Sequence, residues 1–245
     1  MQIYQPKDGY CYNSDTLFLH HFAMRFLRKH HVVLEVGAGC GILGMLCARD
    51  LPIHLTMIEK NPKMAELCAQ NLRINAIKAD LICADFLEFD FLDSKSSEKL
   101  ESKIQSFDII LSNPPFYHNG VIKSKNPNIS SARYAENLPF FELAKKVNSL
   151  LKPEGEFIFC YDSKAFFNLF NTLQHFKIPP ICVRFVHPKA EKSATLVLCR
   201  ARKNSKSLCE IEPPLFTHLS NQKEQHFTQE VQEIYRHANT WSIKC

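Results

Sequence analysis

One short segment of the sequence carries groups that fit a particular chemistry: Asn113-Pro114-Pro115-Phe116. Two successive prolines remove two backbone donors and stiffen the chain. What remains are two acceptors, the Asn113 side-chain oxygen and the Pro114 carbonyl, beside the aromatic face of Phe116. These parts suit a planar amino group such as adenine N6. That nitrogen is a poor nucleophile because its lone pair is delocalised into the ring. Acceptors that grip its hydrogens localise the lone pair toward an incoming methyl group, and Phe116 can stack on the base and hold it in line. Positioning and electrostatics then lower the barrier. No strong general base is required, and the proton can leave to water afterwards. An ordinary turn could also be built from Asn-Pro-Pro, so its place in the fold decides its meaning.

A second set of residues fits a cofactor. Glu35-Val36-Gly37-Ala38-Gly39-Cys40-Gly41 has glycines that allow a tight turn and a close approach of backbone to ligand. Their spacing is G-x-G-x-G, not the G-x-G-x-x-G of dinucleotide sites. An acid two residues before the first glycine would repel a pyrophosphate, but it would attract the cationic methionine end of a sulfonium cofactor. Further on, Glu59 stands where a carboxylate can accept hydrogen bonds from both ribose hydroxyls, with Lys60 beside it. In Asp85-Phe86 a carboxylate and a ring could hold an adenine. Each acid alone would pass for a surface residue.

The elements that must position these residues alternate. Val32 to Val36, His54 to Glu59, Leu81 to Cys83, Phe107 to Leu111 and Gly155 to Tyr161 read as strands. Helices are expected over Ile42 to Arg49, from Asn61-Pro62 onward with Asn61 as cap, from Phe140 to Leu151, and from Lys164 to Phe176. Lys152-Pro153-Glu154-Gly155 is read as a break. Ile181 to His187 and Ala194 to Ala201, joined by a short polar turn, can only be an antiparallel pair. Alternating βαβ predicts a mostly parallel sheet of seven strands covered by helices, with ligands outside the carboxyl ends of the strands. The glycine loop, Glu59, Asp85 and Asn113 all fall at such ends. Tyr117 to Asn137 reads as a long functional loop and Ser94 to Lys103 as a charged surface insertion.

Composition is that of an ordinary globular protein: 245 residues, 45% hydrophobic and 22% charged. No stretch approaches the length of a membrane span. The polar start, Met1 to Lys7, does not resemble a signal peptide, so a cytoplasmic location is expected. None of the ten cysteines forms a C-x-x-C pair, so neither a metal site nor a disulfide framework is expected. Cys47, Cys68, Cys83, Cys160 and Cys182 lie in apolar runs and read as small hydrophobes. The net charge of +5 is mild. Between Arg184 and Lys206 seven cations face one acid, Glu191. Such a run is more often a solvated hairpin than a surface for a polyanion.

The first motif, acid-x-G-x-G-x-G at Glu35, Gly37, Gly39 and Gly41, resembles that of class I S-adenosylmethionine (SAM) methyltransferases. The resemblance implies a Rossmann-like α/β fold with a seven-stranded, mostly parallel sheet and an antiparallel last strand. It makes Tyr12, Asp15, Glu35, Gly37, Ala38, Gly39, Gly41, Glu59, Lys60, Asp85, Phe86 and Asn113 the expected cofactor contacts. Asn13-Ser14-Asp15 is similar to a segment that folds over the cofactor in such enzymes, although Asn13 and Asp15 could equally be helix caps. Asn113-Pro114-Pro115-Phe116 resembles the [DNS]-P-P-[YFW] of enzymes that methylate adenine N6, cytosine N4 or a glutamine amide, and implies a catalytic role for these four residues.

From Tyr10 to Tyr235 the chain is similar to bacterial tRNA (adenine-N6) methyltransferases acting on the anticodon loop of a valine tRNA. Gly9-Tyr10, Asp15-Thr16-Leu17 and Ser131-Ala132-Arg133-Tyr134 carry this likeness, together with a last helix from Phe227 to Arg236. The resemblance implies tRNA as partner, with Phe116, Lys123, Lys125, Arg133, Lys189 and Lys192 as candidate substrate contacts, and a monomer is favoured. Arg133 could instead pair with Glu136. A glutamine methyltransferase acting on a release factor or ribosomal protein is the alternative. It is disfavoured because only about 30 residues precede the first expected strand, too few for the helical docking domain usual there. A non-catalytic RNA-binding protein on the same scaffold is disfavoured by the intact motifs. The expected organisation is a segment over the cofactor site at 1–30, a methyltransferase domain at 31–205, and an extension packed on it at 206–245.

Overall fold

The chain opens with a short strand, β1 (Gln2–Gln5), which the sequence reading did not anticipate. The computed structural model describes residues 1–7, 11–91, 106–116, 138–220 and 226–245. Helix α1 (Ser14–Met24) follows. The alternation then runs β2 (Val32–Val36), α2 (Ile42–Asp50), β3 (His54–Glu59), α3 (Pro62–Ile74), β4 (Asp80–Cys83) and β5 (Phe107–Ser112). After it come α4 (Phe140–Leu150), β6 (Leu151–Asp162), α5 (Phe166–His175), β7 (Pro180–His187) and β8 (Leu196–Arg202). Two dipeptide strands, β9 (Glu210–Ile211) and β10 (Leu215–Phe216), precede α6 (Gln229–Ala238) and β11 (Trp241–Lys244). The Tyr117 to Asn137 loop and the Ser94 to Lys103 insertion fall outside the described residues.

The main sheet has the order β10-β7-β8-β6-β5-β2-β3-β4, with β9 also beside β7. Seven of its strands are those the sequence predicts. β2 to β6 pair in parallel, while β8 runs antiparallel between β6 and β7. The two dipeptide strands add to the β7 edge. Strand β6 shows why the centre reads as a continuous apolar run: Phe157, Phe159 and Tyr161 enter the core under α4 and α5, and Ile158 and Cys160 enter the core under α1 and α2. Helix α3 starts as expected, with the Asn61 side chain accepting from Lys63 N (3.0 Å) and Pro62 at its first position.

The expected break at Lys152-Pro153-Glu154-Gly155 is instead the beginning of β6. The register passes from Phe107–Leu151 to Ile109–Glu156, so the extra residues bulge out of the ladder while pairing with β5 resumes. Glu154 turns the chain at φ +62°. Cys83 is also corrected: it is exposed at the end of the edge strand β4 and does not pack in the core.

The two ends of the chain are joined. β1 pairs in parallel with β11 in a separate two-stranded sheet. Asn71 of α3, fully buried, fastens that sheet to the domain: its amide donates to the carbonyls of Tyr4 (2.9 Å) and Cys40 (3.0 Å), and its oxygen accepts from Tyr4 N (2.7 Å). No helix of the described residues is long and apolar enough to cross a membrane.

Candidate active site

The glycine loop joins β2 to α2 and turns at Gly41, whose φ of +89° makes it a left-handed N-cap. A side chain there would also strike Cys68 Sγ, 2.6 Å from an added Cβ. Gly37 N and Ala38 N donate to the Ile58 carbonyl (3.0 and 3.1 Å), which ties the loop to β3. Under the loop, Glu35 is almost fully buried and its Oε2 accepts from Gly44 N at 3.0 Å. The burial pushes its carboxyl up to about 8, against the opposing pull of the Gly44 N–H, and the nearby Glu59 charge adds to the rise. Gly44 was missed in the sequence, where it reads only as a helix-interior glycine. It is needed because an added Cβ would sit 2.5 Å from Glu35 Oε2.

Glu59 ends β3 with both oxygens engaged, Oε2 by Gly39 N (2.7 Å) and Oε1 by Asn61 N (2.8 Å). Burial raises its carboxyl, and the backbone N–H groups of Asn61 and Gly39 resist. Asp85 follows β4. Burial raises its carboxyl too, but the Lys60 ammonium at 2.9 Å and the Leu87 N–H outweigh that and hold it below the usual range. Lys60 is thus placed on Asp85. The Phe86 ring, 4% exposed, is packed edge-on against Phe91, with the Lys146 ammonium 5.2 Å from its centroid.

The Asn113 segment leaves the carboxyl end of β5. Its amide donates to Thr16 Oγ1 (3.0 Å), and its Oδ1 accepts from the Cys160 thiol (3.1 Å). Burial pushes the Cys160 thiol well up, so it stays a neutral donor. A carbonyl oxygen has two lone pairs, and among the described residues the Cys160 thiol is the one donor to this oxygen. Thr16 and Cys160 therefore fix the direction of Asn113, and neither was given a role at the site from the sequence: Thr16 entered only in the Asp15-Thr16-Leu17 likeness, and Cys160 looked like filler in an apolar strand. Phe116 lies against Tyr161, ring centroids 5.5 Å apart. Asp15 is close to this group. Burial raises its carboxyl, and the Asn13 amide, donating at 2.8 Å, lowers it. Tyr12 lies on the other side of the same turn, its hydroxyl 2.8 Å from Thr240 Oγ1.

The basic run divides. Arg184 forks onto Glu230, Arg200 and Arg202 share Glu156, and Lys203 donates to the carbonyls of Asn148 and Leu151. These four cations hold the fold together. The hairpin surface considered from the sequence is reduced to residues such as Lys189 and Lys192 at its turn. Lys123, Lys125 and Arg133 lie outside the described residues. None of the ten cysteines is joined in a disulfide. Among the described residues, His20, Asp50 and His237 bring three possible metal ligand atoms within 4.8 Å of one another. Asp50 is already held there by Arg49, which donates to both of its oxygens (2.6 and 3.0 Å).

Residues 13–168 match the methyltransferase small-domain family. The chain belongs to that family and is a class I SAM-dependent methyltransferase. A tRNA1(Val) (adenine(37)-N6)-methyltransferase of Shewanella baltica is 26% identical over 231 residues, 93% of this chain and 92% of that protein. A protein of the same description from Bacteroides fragilis is 28% identical over 127 residues, 51% of this chain and 49% of its own. Among solved structures, a predicted O-methyltransferase from Agrobacterium tumefaciens superposes with a TM-score of 0.68 at 17% identity, over 94% of this chain and all (100%) of that one. TYW2 of M. jannaschii, solved with SAM, superposes at 0.53 with 15% identity, over 79% and 77% of the two chains. At these identities the superpositions speak for the fold.

The described residues fit the cofactor. An added Cβ at Gly37 would meet nothing within 4 Å, which leaves the loop's outer face open for a ligand. Three carboxylates of graded burial, Glu35, Glu59 and Asp85, stand at three successive strand ends.

Proposed function

We propose that this enzyme methylates N6 of an adenine in tRNA, and that it works in the cytoplasm. The observation that carries the reading is the Asn113 side chain. It is held from both sides at the end of β5, its oxygen taken by one donor among the described residues, with the Pro114 carbonyl beside it and an aromatic ring, Phe116, two prolines further on. That is an acceptor pair and a stacking face for a flat amino group, and the relatives named above are adenine-N6 enzymes of tRNA.

Bound SAM would supply an electrophilic methyl and a neutral thioether leaving group. Glu35 faces its cationic end through the glycine loop, Glu59 takes the ribose hydroxyls, and Asp85 takes the adenine. Asn113 Oδ1 and the Pro114 carbonyl accept the two hydrogens of the substrate amine, which turns its lone pair out of conjugation. Phe116 limits the base to one plane. The nitrogen gains positive charge as the bond forms, so acceptors fixed beforehand stabilise that stage more than the ground state.

The experiment offers tritiated methyl-SAM to total tRNA, total protein and DNA side by side, followed by nucleoside analysis. N6-methyladenine in tRNA is expected. Label appearing in protein alone would turn the reading to the glutamine amide. Asn113→Ala should lower kcat by on the order of 10²–10³-fold while weakening SAM binding far less, because the other expected cofactor contacts stay, and Asn113→Asp, which retains an acceptor, should lose less. A normal kcat for Asn113→Ala would reduce the segment to a turn.

A further inference from the structure

A cleft of about 770 Å³ lies between the N-terminal segment and the last helix and strand. Tyr12, Asn13 and Ser14 line it from one side, and Tyr235, Arg236 and Lys244 from the other. Among the described residues no carboxylate lines it, and both cations are exposed. This sets it apart from the hairpin, where Arg184, Arg200 and Arg202 are neutralised by Glu230 and Glu156. The two tyrosines are fixed. Tyr12 is bonded through its hydroxyl to Thr240, and the half-buried Tyr235 ring rests against Phe18 and Phe227. The cleft is also tied to the Asn113 site by one turn of helix: Asn13 and Ser14 open α1 on the cleft side, and Thr16 of the same turn takes the Asn113 amide.

Aromatic edges held in place, two cations with no carboxylate partner among the described residues (Lys244 donates to the Cys11 thiol) and a rim of amides and hydroxyls match single-stranded nucleic acid. Bases offer π-faces to stack, and phosphates seek cations. We propose that this cleft holds the single-stranded RNA segment adjoining the target adenine, with Arg236 and Lys244 on phosphates and the tyrosines beside the bases. The proposal rests on the tRNA reading above. A base drawn out of its stack needs its flanking backbone gripped close by, and one helical turn from Asn113 is such a place.

The test uses the full chain and a valine tRNA transcript made without modification. Methylation by the wild type is measured first. If it is absent, the tRNA reading falls and the cleft assignment with it. If it is present, Arg236→Ala/Lys244→Ala should weaken RNA binding by roughly tenfold or more at moderate salt. The log–log salt slope should shrink by about 1.4, which is about 0.7 for each of the two phosphates no longer neutralised. KM for tRNA should rise, Arg236→Glu should do more harm than Arg236→Ala, and SAM affinity and the melting temperature should hold. Wild-type affinity and slope in both Arg236→Glu and the double variant, with the transcript still methylated, would overturn the cleft assignment alone.

Discussion

Glu35 is the residue whose environment says most about cofactor binding. Its carboxyl is raised from 4.5 to about 8, so the folded protein holds a proton there that the unfolded chain releases. Because the unfolded state then binds fewer protons, stability should fall as pH rises through the window from 4.5 to about 8. A cationic ligand end beside Glu35 favours the ionised form, so SAM binding should expel the proton in the same window. Glu35→Gln should flatten the contribution to melting temperature across that window and abolish the proton release, read by calorimetry in two buffers of different ionisation enthalpy. An unchanged release in Glu35→Gln would place the proton elsewhere. The sequence made the acid legible through its spacing from the glycines. It held no sign that Gly44 is empty to make room for the carboxylate, because that approach depends on how α2 lies over β2.

Among the elements, those built by local alternation could be read and those built by distant pairing could not. Strands β2 to β8 announce themselves by apolar runs and flanking turns. The acids proposed for the cofactor follow, because each sits where its strand stops. β1 and β11 are four residues each, and each depends on a partner at the far end of the chain. No periodicity within Gln2–Gln5 or Trp241–Lys244 could have disclosed that. The bulge in β6 escaped for a related reason: Pro153 and Gly155 look like punctuation unless the pairing of Glu156 with Ile109 is known. Asn71 makes the distant pairing testable. Asn71→Ala strips the buried partners from Tyr4 N–H and from the Tyr4 and Cys40 carbonyls. A loss of about 2–3 kcal/mol in urea unfolding is expected, since leaving buried polar groups unsatisfied costs on the order of 1–3 kcal/mol. A loss near zero would mean that Asn71 is not what holds β1 on the domain, and would leave that to Asn75, which bonds Gln2 N and O, and to β11.

At the scale of the molecule, the joined ends form a sheet of their own beside the central one. Deleting residues 241–245 removes β11 but no strand of the main sheet. The amides of Ile3 and Gln5, which face β11, should then lose hydrogen-exchange protection, while those of β2, β3 and β5 keep theirs and SAM still binds. Loss of protection throughout the sheet would show that the two units melt as one. The pairing also sets a timetable. Met1 donates to the Asn239 carbonyl across 238 residues (2.8 Å). With translation running at roughly 5–20 residues per second, the opening strand leaves the ribosome some tens of seconds before its partner has been made. All that time its backbone edge is open to any other chain. A ribosome stalled late would hold a nascent enzyme with its central sheet assembled and one wall of the cleft proposed for RNA not yet synthesised.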